Sequence, residues 1–178
     1  MRILTFDPSL RNWAYVHVTL NAATNKLSHL DSGIITTVKS TPRERGLDTV
    51  SAVDMEDSQK ITEILIPMVK NSDIVISELP IGSQSASGMK MYGIVIAILS
   101  TVKILQPNFI GITPDKVKLA LTGSSTADKH EMIQKAVTLY PKLNWVKNTK
   151  GKILGESQHI ADAAGVLTFY LKQIGVLQ

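Results

Sequence analysis

A chain of 178 residues with 44% apolar residues is long enough for one ordinary domain with a well-formed core and short for two. It has no cysteine, which excludes a disulfide framework and a thiolate zinc site and points to a reducing, cytoplasmic compartment. The formal charge of +4, with only 5% aromatic residues, is a mild basic excess that leaves the placement of the cations to decide whether a polyanion is bound.

The chain opens on Ile3-Leu4-Thr5-Phe6-Asp7 and, after Pro8-Ser9-Leu10-Arg11-Asn12, continues with Trp13-Ala14-Tyr15-Val16-His17-Val18-Thr19-Leu20. Both runs are rich in β-branched and aromatic residues and read as a hairpin over residues 2 to 7 and 13 to 20. A turn at Asn21 to Asn25 predicts a third antiparallel strand at about Leu27 to Thr36. Ile61, Ile64, Leu65 and Met68 then recur at helical spacing, which predicts a long helix over much of 46 to 70. Ile74 to Glu78 is a short unbroken apolar run ending in an acid, as buried parallel strands read.

The small polar segment Gly82 to Gly88 leads into Ile94-Val95-Ile96-Ala97-Ile98-Leu99, and the spacing predicts a helix over 86 to 105 that is apolar on every side near its middle. Such a helix is expected to be buried on more than one face, beneath the sheet and against a second subunit. A strand at Phe109 to Thr113 leads through Pro114 into a short helix, and a glycine-serine turn opens a helix over 127 to 139 that Pro141 stops. Lys142 to Glu156 has no hydrophobic period and is expected to be a mobile basic loop. The last helix, 157 to 174, carries Ala163, Val166, Leu167 and Tyr170 on one face. No apolar stretch is expected to reach the roughly 20 residues that span a bilayer, and the N-terminus lacks the pattern of a signal peptide, so no membrane partner is expected. The order of five strands and interleaved helices predicts an α/β domain over 1 to 178, with a mixed five-stranded sheet flanked by helices.

Four residues stand out at element borders: Asp7, Glu78, His159 and Asp162. An acid closing a buried strand is costly to desolvate unless a cation or a hydrogen-bond partner holds its charge. A long crossover helix between the first strand and the strand ending at Glu78 lets the two lie side by side, and His159 and Asp162, three apart, share a helix face. Unit charges ~4 Å apart repel by about 4 kcal/mol at an effective dielectric of about 20. A divalent ion would turn that repulsion into ligation, and oxygen ligands favour magnesium or manganese.

Four segments, ILTFDPSLRNW from Ile3, ISELPIGSQSASGMKMYG from Ile76, KLALTGSSTADK from Lys118 and HIADAA from His159, together resemble the RuvC family of Holliday-junction resolvases, in the same order and over nearly the full chain. The resemblance implies a ribonuclease H-like fold, a homodimer, and symmetric nicking of two strands of a four-way DNA junction. It also implies two Mg2+ ions per active site, with Mn2+ a substitute, held by Asp7, Glu78, His159 and Asp162. In that chemistry Asp7 bridges the ions, Glu78 and Asp162 each complete one metal site, and His159 ligates or relays a proton. Lys118 and Lys129 match the family's basic positions and are expected to bind DNA phosphate, with Lys116, Arg11 and the 147 to 152 loop as weaker candidates.

Relatives often carry an aromatic residue just after the catalytic glutamate, whereas this chain has Leu79-Pro80-Ile81. That departure resembles bacteriophage-type members, whose compartment would be the host cytoplasm, and it leaves open a looser nuclease for forks and flaps. A non-catalytic DNA-binding module of the same fold is the alternative of a different class. An actin-like ATPase also begins with a strand, an acid and a turn, but it needs two such domains, for which the chain is too short.

Overall fold

In the computed structural model, which describes residues 1–177, the opening apolar run forms β1 (Arg2–Asp7) at the centre of a five-stranded sheet. β2 (Asn12–Asn21) and β3 (Lys26–Thr36) follow as an antiparallel meander on one side. β4 (Ile74–Glu78) and β5 (Phe109–Ile112) add in parallel on the other, giving the order β3-β2-β1-β4-β5. The mixed sheet is the one expected from the order of apolar runs.

Alternation along β1 splits the core in two. Ile3 packs with Val16, Val18 and Ile76 on the face covered by α4 (Pro114–Thr122), α5 (Lys129–Leu139) and α6 (Gln158–Gln173). Leu4 and Phe6 pack with Trp13 and Val75 on the opposite face, under α2 (Val50–Lys70) and α3 (Ala86–Leu105). There Phe6 meets Trp13 edge to face, with centroids 5.6 Å apart.

The helix expected over much of 46 to 70 is α2, and a separate turn, α1 (Pro42–Arg45), precedes it. Gly46 at φ 68° parts the two, in the left-handed region that favours glycine. The sequence reading of α3 needs one correction, to the expectation that no apolar stretch is long enough to span a bilayer. Within the single chain the inner face of this helix is buried, through Val95, Ile98, Leu99 and Val102, while Met89 and Ile104 point outward, on the side expected to meet a second subunit. The helix is also 20 residues long with a mean hydropathy of 1.6 over its most apolar stretch, so by length and composition it reaches the membrane-spanning range. Here it lies against α2 and the sheet, and Lys90 in its first turns pairs with Asp54 of α2 at 2.6 Å.

The segment expected to be a mobile loop is pinned. Leu143 and Trp145 are buried, and Trp145 Nε1 donates to the Tyr140 carbonyl at 3.1 Å. Beyond them Lys147 bridges Ile153, and the Asn148 amide donates to the Lys152 carbonyl, closing a tight basic hairpin. A 3-10 turn at Gly155–Ser157 then enters α6. Two isolated anchors, Leu143 and Trp145, in an otherwise polar stretch leave no periodic signal, so the sequence pattern misses them.

Candidate active site

β1 and β4 run in parallel with Phe6 opposite Ser77, so their last residues, Asp7 and Glu78, leave the sheet side by side on adjacent central strands. Asp7 lies two residues after Thr5 and shares its face. Thr5 is fully buried and its hydroxyl donates to the Ala163 carbonyl at 2.8 Å, which ties α6 to β1 two turns or less from each acid. α6 can come this close because its early turns are small, with Ala161, Ala163, Ala164 and Gly165 all buried. A Cβ on Gly165 would stand 2.7 Å from Val117 Cγ1, so the glycine also sets the approach of α4.

That packing brings the start of α6 over the ends of β1 and β4. His159 Nδ1 stands 3.1 Å from Asp7 Oδ2, where a protonated ring nitrogen donates to the carboxylate. Asp162, one turn on, is mostly buried and accepts from Gln158 Nε2 at 3.4 Å. Beside them is a cleft of about 310 Å³ lined by Glu78, Asp162, Gln158, Lys118 and Lys129.

The electrostatics of the cleft show a shortage of positive charge. Burial, then the charges of Asp7 and Asp162, push the Glu78 carboxyl up to about 8, against the opposing pull of Lys118. Burial, then Asp7, push Asp162 up to about 7, although Gln158, His159 and Lys118 act the other way. The hydrogen bond to Asp7 raises His159 despite its partial burial and the nearby Lys129. One lysine therefore fails to hold two acids ionised near neutral pH, and a cleft of oxygen donors in that state fits a divalent cation. Among the described residues no three His, Asp or Glu side chains already converge as a closed metal-holding group. Asp7 sits close enough to raise both Glu78 and Asp162, and it is itself engaged with His159.

The structure thus gathers Asp7, Glu78, His159 and Asp162 at one place and sets Lys118 and Lys129 on its wall. Two of the weaker candidates sit elsewhere. The Arg11 guanidinium is tied to the buried Asp57 of α2 and to Thr37, so it clamps the β1–β2 turn and is not free beside the acids. Lys116, two residues before Lys118, emerges on another side of α4 and lines a groove with Phe169 and Lys172. Sequence reading missed Gln158 and Asp128, which both line the cleft. Gln158 carried a usable signal, since it lies four residues before Asp162 on the same helix face. Asp128 caps α5 by accepting from the Glu131 amide, which read from the sequence as an ordinary helix start.

A mixed sheet in this order, with acids at the ends of its first and fourth strands and a helix bearing a third acid across them, defines a ribonuclease H-like protein. Comparison with known proteins narrows the class. No family model matches the chain. Curated relatives include crossover junction endodeoxyribonuclease RuvC of Helicobacter pylori strain 26695, 31% identical over 134 residues, which are 74% of this chain and 77% of the relative. The same enzyme of Orientia tsutsugamushi is 26% identical over 136 residues, 75% of this chain and 78% of the relative. Among solved structures, Thermus thermophilus RuvC in complex with Holliday junction substrate matches with a TM-score of 0.68 at 16% identity, over 99% of this chain and 97% of that one. The Fowlpox virus resolvase bound to substrate Holliday junction DNA matches with a TM-score of 0.55 at 16% identity, over 98% and 99% of the two chains. The chain belongs to the RuvC family of crossover junction endodeoxyribonucleases.

Proposed function

We propose that this protein is a structure-selective endonuclease that resolves four-way DNA junctions by paired nicks, using divalent cations held by Asp7, Glu78 and Asp162 with His159 beside them. The observation that carries the reading is the pair of buried carboxyls, Glu78 and Asp162, raised to about 8 and about 7 in a cleft whose wall also bears Lys118 and Lys129. Cations bound there, with magnesium or manganese suited to an all-oxygen set, would activate water for attack on phosphorus and offset the charge that builds on the leaving oxygen.

The chain's own groups do the rest. Lys118 and Lys129 would hold the phosphates on either side of the scissile bond, giving affinity and orientation with little sequence discrimination. His159, once released from Asp7, is placed to ligate or to carry a proton. Gln158 keeps Asp162 turned into the cleft.

The partner is branched DNA, and the working form is a homodimer, since two sites are needed to cut two strands. The outward face of α3 supports a two-fold contact: Met89, Gly93, Ala97, Ser100 and Ile104 form an exposed stripe at helical spacing. A Cβ at Gly93 would meet nothing within 4 Å, so nothing within the single chain requires a glycine in mid-helix.

The position after Glu78 favours a looser choice of branched substrates as a second reading. Leu79 leans on β5, where a Cβ on Gly111 would stand 2.7 Å from Leu79 Cδ1, and as an aliphatic side chain it has no ring to stack on a base. The test is cleavage of four-way junction, fork and flap DNA by the wild-type protein and by Asp7→Asn. The proposal expects junction binding by both proteins, paired cutting by the wild type alone, and, for the second reading, comparable rates on forks. Undiminished nicking by Asp7→Asn rejects the catalytic assignment.

A further inference from the structure

Away from the carboxylate cleft, the flank formed by α4, α5 and the last turns of α6 carries a groove of about 520 Å³. Its floor is Leu119, Ala120 and Phe169, and its rim is Lys116, Lys172 and Gln173. Leu119 is 53% exposed and stands among half-buried apolar neighbours. A second hollow of about 220 Å³ shares Ala120 and Lys172 with the first and adds Lys135 and Leu139, itself 46% exposed. Among the described residues, no aspartate or glutamate lines either hollow. Exposed apolar side chains rimmed by charge of one sign mark a recognition surface.

We propose that this groove docks a short acidic segment of another protein, whose apolar side chains fill the floor while its carboxylates pair with Lys116, Lys135 and Lys172. Charge complementarity selects an acidic occupant, and the floor selects a peptide over a nucleic-acid strand. Phosphates would satisfy the lysines but leave Leu119, Leu139 and Phe169 exposed. The groove is also set apart from the cleft. Phe169 and Lys172 follow Asp162 by seven and ten residues along α6, which places them roughly 10 to 15 Å further down the helix. Lys116 and Lys118 leave α4 on different sides, one toward the groove and one toward the cleft. A partner seated in the groove therefore leaves the cleft open, as recruitment to DNA by a bound protein would require. This inference is independent of the chemistry assigned to the cleft.

The probe is a fluorescein-labelled nonapeptide alternating aspartate with leucine and phenylalanine, titrated with the full chain and followed by anisotropy. A peptide with lysine in place of each aspartate is the control. Saturable binding of the acidic peptide alone is expected, weaker at high salt and weakened at least about tenfold by Lys172→Glu and by Leu119→Ser. Both variants should bind four-way junction DNA as the wild type does. In the wild-type chain, amide shifts induced by the peptide should fall on α4 and the end of α6, a readout that needs no variant to fold. Absence of saturable binding, shifts confined to other elements, or equal binding by both variants would overturn the proposal. So would loss of junction affinity in the two variants without any peptide binding, which would make the groove part of the DNA path.

Discussion

Replacing Asp7 with asparagine removes the charge that presses on both Glu78 and Asp162, so two properties should move in opposite directions. Cleavage should fall by more than the roughly 100-fold that changes behind a metal ligand usually cost, because in the proposed mechanism Asp7 is itself a ligand. Junction binding, measured by gel shift in a chelator, should persist, since Lys118 and Lys129 are untouched. Above about pH 8, where Glu78 and Asp162 are ionised and repel Asp7, the metal-free variant should meanwhile be more stable, by about 1 kcal/mol and hence several degrees in Tm, because relief of repulsion in a buried cluster favours the folded state. A variant that lost activity and melted earlier would instead point to a damaged fold.

The same cluster fixes the sign of the pH dependence. Glu78 and Asp162 keep their protons up to about 8 and about 7 in the folded chain, whereas an unfolded chain releases them near ordinary carboxylate values. The folded state then holds more protons across that interval. Its stabilising contribution is fully present below about pH 4 and is lost as pH rises through about 7 and 8. Thermal melts in a chelator should show Tm falling between about pH 5 and pH 8 in the wild type, and less steeply in Glu78→Gln. Cations compete with protons for the same oxygens, so added magnesium should flatten the slope and shift the rise of activity to lower pH. A Tm that stays level in the absence of metal would show that the two acids ionise normally.

Between elements, α6 comes close to α4 at Gly165 and Val117. Gly165→Ala would drive a methyl into Val117 and should cost about 1 to 3 kcal/mol by overpacking. Because α4 carries Lys118, the shift should also weaken junction binding, and the smaller Val117→Ala in the same chain should restore both. Trp145 anchors the basic hairpin through its buried ring and its hydrogen bond to Tyr140, so Trp145→Ala should lose about 3 to 5 kcal/mol in urea melts.

These two sites also show where the sequence stops being readable. The strands and long helices were legible because apolar residues repeat at period 2 or 3.6, and Asp7 and Glu78 stood out because each ends an apolar run. Their adjacency depends on the β1–β4 register, which a crossover of this length only permits. Gly165 marks a close approach that no local pattern announces. The Arg11–Asp57 pair joins residues 46 apart, so Arg11 read from sequence as a free cation. The all-apolar middle of α3 gives no indication of which face the chain itself covers and which it leaves outward.

A dimer through α3 makes a demand on Gly93 that a monomer does not. In an isolated chain the position is open to solvent, so Gly93→Ala should stabilise the helix by about 1 kcal/mol. Where two copies of α3 cross at Gly93 and Ala97, the added methyl would hold the backbones apart and weaken association instead. Melting at low and high protein concentration separates the cases, because a dimer's Tm rises with concentration and a monomer's does not. A stronger change, Ala97→Glu, would place two like charges against each other across a two-fold axis and should yield monomers by sedimentation. Its cleft is unaltered, so it should still nick. On a supercoiled plasmid carrying an extruded four-way junction, the wild type should make linear product by two cuts within one binding event, and Ala97→Glu should accumulate nicked circles. Linear product from a monomeric Ala97→Glu protein would show that paired cutting needs no second copy and would remove α3 from the interface.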